Sequence, residues 1–236
     1  MNYVIKSFSC LIFLCNIVFA IEFEVLACGN LSLGYMLNVS SANGGAISGN
    51  KIGDGFNANF ILGIGHNYRV SDTNVIRTVS VLLESGYNYY SRSRGTFDFS
   101  YHSFLIGILP KMNFYNDLSF GVGAGVLFPL AGGLNEADVS LGVFGTDTSF
   151  DFDKIKTMHK IPIMPYIKAI VEKYFYLKDS LAIKIDASLL YNFGMSLDTD
   201  KLKQNTEMMN NIYSSYSFSG LSLDVGISVA FGRPKE

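Results

Sequence analysis

Tryptophan is absent, and cysteine, proline and histidine are scarce: 3 Cys, 5 Pro and 3 His among 236 residues. Cys10 and Cys15 lie within the first twenty positions, so a chain shortened there keeps one cysteine and can form no internal disulfide. His66, His102 and His159 are the only imidazoles, which leaves little material for acid–base chemistry. Charge is also thin: charged residues make up 16%, 18 basic against 20 acidic, and no basic field exists that would attract nucleic acid. What is plentiful is aromatic or small, with 19 Phe, 14 Tyr and 23 Gly. Many aromatics beside many glycines suit strands better than helices.

The beginning of the chain reads as an export signal. Met1 to Lys6 carries one positive charge, Ser7 to Phe19 is an apolar run, and Val18-Phe19-Ala20 offers a small residue for cleavage. Residues 1–20 are expected to be removed, leaving 21–236 as one domain of 216 residues (236 minus 20). Val25-Leu26-Ala27-Cys28 is a competing lipoprotein-type site. Against it, Glu22 and Glu24 interrupt the apolar stretch such a site needs, and Cys28 falls inside a regular alternation that runs from Ile21 to Leu37.

Eight segments show period-two patterning, at 21–37, 56–69, 75–91, 97–113, 118–130, 159–175, 180–196 and 216–232. Each exceeds the length a tilted membrane-spanning strand requires, about 9 to 11 residues. In the fifth, Leu118, Phe120, Val122, Ala124, Val126 and Phe128 oppose Ser119, Gly121, Gly123 and Gly125. In the seventh, Ile183, Ile185, Ala187 and Leu189 oppose Lys184, Asp186 and Ser188. The fourth changes phase: Phe97, Phe99 and Tyr101 have the parity opposite to Phe104, Ile106 and Ile108, which implies a bulge or aromatics facing inward. Pro162 and Pro165 weigh against the sixth, since proline removes a ladder donor. Short turns at 70–74, 114–117 and 176–179 alternate with long polar connections at 38–55, 131–158 and 197–215, and 92–96 is a short exception. Periplasmic turns and external loops sort this way in up-and-down barrels.

The final strand, Asp224-Val225-Gly226-Ile227-Ser228-Val229-Ala230-Phe231, alternates apolar and polar or small residues and closes on an aromatic. It resembles the C-terminal assembly signal of outer-membrane β-barrels, with Asp224, Gly226, Val229 and Phe231 as its elements, although Gly232 to Glu236 follow the aromatic. Together with the strand count, the connections and the export signal, it makes 21–232 resemble the small eight-stranded outer-membrane barrels of the OmpA, OmpX and OmpW group. The fold expected is all-β: an eight-stranded antiparallel up-and-down transmembrane β-barrel. That resemblance implies outer-membrane lipid and the barrel assembly machinery as partners.

Parity places Glu84, Lys168, Glu172, Lys184, Asp186 and Asp224 in the lumen. An eight-stranded barrel is only wide enough for side chains to fill, so these six are expected to pair and plug it, with a gate or narrow ion path as the alternative. Lumenal networks of this kind are also what the OmpA-like resemblance implies. Tyr87, Tyr89, Tyr90, Phe97, Phe99 and Tyr101 near the outer end, and Phe114, Tyr115, Tyr174, Phe175 and Tyr176 near the inner end, read as interfacial girdles. His102-Ser103 has the residue types of a nucleophile pair, but adjacent strand residues point to opposite faces. No enzyme is expected. No cofactor or metal is expected either: Gly121-x-Gly123-x-Gly125 lacks the spacing of a phosphate loop, and Asp147, Asp151 and Asp153 lack that of a calcium loop. The function expected is structural or surface interaction, through external ligands at loops 38–55, 131–158 and 197–215. The alternatives are a narrow channel, a transporter of small hydrophobic molecules, and a lipid-modifying enzyme.

Overall fold

The structure, a computed structural model, describes residues 24–43, 49–69, 75–94, 97–136, 149–196, 198 and 215–232. The expected export segment, 1–20, lies outside them. The described elements are β1 (Glu24–Asn43), β2 (Gly49–Arg69), β3 (Ile76–Arg94), β4 (Phe97–Phe114), β5 (Leu118–Glu136), β6 (Ser149–Asp151), α1 (Phe152–Met158), β7 (Met164–Lys178), β8 (Leu181–Asn192) and β9 (Ser215–Phe231).

Eight strands close into one antiparallel ring, β1-β2-β3-β4-β5-β7-β8-β9, with β9 paired back onto β1. Short β6 adds to the outer extension of β5 through Ala131, Gly132 and Gly133. Closure removes the free edges that an open sheet of this length would present. The register carries a stagger. Starting at Gly63 of β2 and following partners through Glu84, Gly107, Gly125, Tyr166, Asn192, Gly220 and Asn38, the path returns to β2 at Gly53. The stagger is therefore ten residues (63 minus 53), which tilts the strands by roughly 40° from the barrel axis. Even β8, with 12 residues, then spans about 30 Å along the axis, enough for a bilayer's hydrocarbon core.

Alternation decides the two surfaces. Leu33, Val122 and Val225 stand outward and are 55%, 54% and 61% exposed, as are Leu62, Ile108, Ile167 and Leu189. Asn57, Glu84, Lys111, Lys168, Glu172 and Asp224 point inward and are buried. An apolar exterior around a polar interior inverts the arrangement of a soluble barrel and is that of a transmembrane one.

Several expectations are corrected. The region 38–55 is mostly strand, because β1 and β2 remain paired out to Ala42 and Gly49: a hydrogen-bonded ladder needs no apolar face once it rises clear of lipid. Region 131–158 likewise contains the end of β5, then β6 and α1. The sixth patterned segment begins as strand only at Met164, after Pro162. There Pro165 stands outward and its carbonyl accepts from the Phe193 backbone N–H at 2.9 Å. In the fourth segment, Tyr101, Ser103, Leu105, Leu109, Lys111 and Asn113 share the buried lumenal face, so an inward aromatic accounts for the change of pattern. A register shift against β5 also occurs, between His102 and Ser103.

Candidate functional site

The lumen is filled in layers. Nearest the short-turn end, Asn113 Nδ2 donates to Thr78 Oγ1 at 2.9 Å and to Ser80 Oγ at 2.5 Å. Its Oδ1 accepts from Ser119 Oγ at 2.6 Å. Above this amide hub sits a buried carboxylate between two lysines: Glu172 Oε2 is 2.7 Å from Lys111 Nζ and its Oε1 is 2.6 Å from Lys184 Nζ. Tyr174 joins them, accepting from Lys111 at 2.9 Å and donating to Glu172 at 3.1 Å. Both carboxylate oxygens are thus engaged by charge-assisted bonds from three different strands.

An apolar layer of Leu82, Leu109 and Ile170 follows. Beside it Lys168 Nζ reaches both oxygens of Glu84, at 2.7 and 2.6 Å. Asp224 is held differently, by neutral donors: Asn57 Nδ2 at 3.0 Å and Ser222 Oγ at 3.2 Å. Asn57 in turn accepts from Asn88 Nδ2 at 2.7 Å, and Asn88 also donates to Asn59. Asp224 fits because β1 carries Gly34 opposite it, where a Cβ would collide with Oδ1. Tyr166 similarly lies over Gly107 and Gly125, which leave room for its ring and hydroxyl. Toward the outer mouth the filling becomes apolar. Tyr90 and Tyr101 stack with centroids 5.2 Å apart, the Tyr90 hydroxyl donates to Met164 Sδ at 3.0 Å, and Leu105 and Leu127 are fully buried.

All six sequence-selected ionisable residues are buried on the lumenal face. Glu84 pairs with Lys168, Glu172 with Lys184, Asp224 with amide and hydroxyl groups, and Asp186 is the register neighbour of Glu172. Sequence reasoning missed Lys111, because the phase of β4 was open; once Phe104, Ile106 and Ile108 are taken as outward, parity alone puts it inside. The girdle reading is corrected for Tyr90, Tyr101 and Tyr174, which fill the lumen. Tyr87, Tyr115 and Phe175 do stand exposed. His102 is directed outward, where Nδ1 meets the Tyr87 hydroxyl and the ring lies 5.0 Å from Tyr89, while Ser103 is buried inside. The two therefore cannot exchange a proton. Asp151 caps α1, accepting from Lys154 N at 3.0 Å; Asp147 lies outside the described residues. Among the described residues no cluster of His, Cys, Asp and Glu is arranged to hold a metal.

A ring of eight strands with an apolar exterior and a packed polar interior settles the architecture. The fold is that of the small outer-membrane β-barrels. No family model matches the chain, and no curated protein matches it. Solved structures do, at the level of fold. Neisserial surface protein A is similar over 88% of this chain and 96% of its own, with 12% identity and a TM-score of 0.47. Ail, the attachment invasion locus protein of Yersinia pestis, solved with the heparin analogue sucrose octasulfate, is similar over 87% and 99%, with 13% identity and a TM-score of 0.35. The outer-membrane protease OmpT of Escherichia coli is similar over 89% and 96%, with 8% identity and a TM-score of 0.41. This last similarity corrects the expectation that the chain is not an enzyme: a protease is among the similar barrels, so having such a barrel is no ground for that conclusion.

Proposed function

We propose that this chain is an integral outer-membrane protein whose barrel is a closed scaffold presenting its external loops, in regions 38–55, 131–158 and 197–215, to ligands outside the cell. The observation that carries this reading is the lumen, which is filled from Asn113 to Tyr90 by paired charges, amides and packed apolar side chains. A barrel closed along its axis has its accessible surface at the loops. Ail, crystallised with a heparin analogue, is a barrel of similar fold found with a bound polyanion. Delivery would use residues 1–20 as a cleaved signal and Asp224, Gly226, Val229 and Phe231 as the assembly signal. N-terminal sequencing of the mature protein should begin at Ile21, and a lipid-blocked Cys28 would refute that.

A second reading, a gated narrow channel, draws on the buried Glu84–Lys168 pair in the lumen. Single-channel recording of the refolded protein in a planar bilayer separates the two. The scaffold reading expects a silent membrane. Steady openings of the wild-type protein would overturn it in favour of the channel.

A further inference from the structure

Two exposed apolar residues in the connection between β6 and β7 stand where the barrel wall leaves the bilayer. The inner limit of the hydrocarbon layer is marked by Lys173 of β7, which faces outward by alternation and donates to the Asn116 carbonyl in the short turn. Its register partner is Leu118 of β5. A strand tilted by roughly 40° climbs about 2.5 Å per residue, so a hydrocarbon core of about 30 Å is crossed in about 12 residues. Counted up β5 from Leu118, that length reaches Leu130; counted back from Lys173, it reaches Ile161, just before β7 begins. Beside Leu130, Ala131 pairs with Asp151, the N-cap of α1. The connection from Asp151 to β7 therefore leaves and rejoins the wall at the outer surface of the bilayer.

Its side chains sort to match that height. α1 packs on β5 and β6 and buries Ile155 and His159, one turn apart, while Phe152 is 42% and Ile161 61% exposed. These exposures match those of Ile167 and Leu189 on the lipid-facing wall, at 50% and 48%. The exposed Leu130, and the exposed Pro165 whose carbonyl accepts from the Phe193 N–H, carry the same apolar surface down into the wall. Lys156 stands one turn beyond Phe152 and Lys160 is next to Ile161, both exposed. Asp151 uses its carboxylate to cap the helix, and Asp153 is the other exposed anion of the segment. Apolar side chains with lysines a turn or a residue away make an interfacial segment, in which rings and stems lie among acyl chains and ammonium groups reach the headgroups.

We propose that residues 152–163 lie on the outer leaflet as a membrane-surface collar, with Phe152 and Ile161 set among the upper acyl chains and Lys156 and Lys160 bound to the phosphate groups of anionic lipid. The bilayer is the occupant because the exposed apolar surface is continuous with the lipid-facing wall, and because the lysines complement headgroup phosphate at the height where it begins. The end of the 131–158 connection is thereby assigned to lipid and not to an external ligand. The collar rests on the barrel spanning the membrane, whatever the other loops bind.

The chain has no tryptophan, so Phe152→Trp, Ile161→Trp and, as a control on the wall, Leu189→Trp each supply a single emitter. Each full-length variant, shown to be folded by heat-modifiability, is refolded into phosphatidylcholine vesicles with or without phosphatidylglycerol, the lipids brominated high or low on their acyl chains. The emitters at 152 and 161 should be quenched, more by high than by low bromines. The two positions are independent, so a folding failure at one leaves the other to decide. Brominated phosphatidylglycerol should quench the emitter at 161 more than brominated phosphatidylcholine at equal mole fraction, with a relative association up to roughly fivefold greater for each lysine. Lys156→Gln combined with Lys160→Gln should abolish that preference, and salt should weaken it. Quenching at 189 without quenching at 152 and 161 would show an inserted barrel and overturn the collar. Quenching at none of the three would overturn the transmembrane reading and the collar with it. Equal quenching by the two lipids, or a preference that survives in the double lysine variant, overturns the phosphate contact.

Discussion

Lys168 of β7 and Glu84 of β3 meet across the lumen, the ammonium 2.7 and 2.6 Å from the two carboxylate oxygens, with β4 and β5 between them on the short way round the ring. Removing one partner leaves the other buried and unpaired, which costs about 3 to 5 kcal/mol. Lys168→Met should therefore lower the unfolding free energy read from a urea titration by an amount of that order. Glu84→Gln combined with Lys168→Met should recover much of the loss. Additive effects in the double variant would show that the two do not act as a pair.

Glu172 is more exacting, because its two carboxylate oxygens receive Lys111 and Lys184, one each. Glu172→Gln removes the carboxylate that both ammonium groups share. It is expected to destabilise the barrel more than either Lys111→Met or Lys184→Met alone, measured by the temperature at which the folded band is lost in heat-modifiability gels.

Gly34 marks where two strands leave no space. A Cβ there would collide with Asp224 Oδ1 and lie 2.5 Å from the Leu223 carbonyl. Since one obstacle is backbone, rotating Asp224 away cannot relieve it. Gly34→Ala should shift the β1–β9 seam and reduce the folded yield, and pairing it with Asp224→Ala should restore little. Full recovery in that double variant would place the conflict in the side chain alone.

Phe231 is the last residue of β9, paired with Ala27 and Leu181 and 53% exposed on the outer face. If it acts as the assembly signal, Phe231→Asp should sharply reduce the heat-modifiable outer-membrane fraction in cells. Substitution at Gly232, beyond the strand, should have little effect. Normal assembly of Phe231→Asp would remove the role.

Period-two alternation is a local property, set by the pleat, and it was readable wherever one face was continuously apolar. It identified the outward faces of β3, β5, β8 and β9 and the lumenal placing of Glu84, Lys168, Glu172, Lys184, Asp186 and Asp224. It left β4 open between a bulge and inward aromatics, since Tyr101, Leu105 and Leu109 are inward and apolar in a lumen packed with hydrophobic side chains as well as polar ones. Tyr90 and Tyr174 were misread for the same reason. α1, capped by Asp151, was not read in the sequence, because seven residues inside a polar connection carry little periodicity. Parity assigns a side chain to a face and says nothing of its height or its position round the ring. The ten-residue stagger supplies both, bringing Lys168 to Glu84 and Lys111 and Lys184 to Glu172. The sequence by itself therefore determined which residues are enclosed, through a repeat of two set by each strand's own backbone. Only the tertiary structure decided which of them meet, because partners across a closed barrel depend on the register of every strand in the ring.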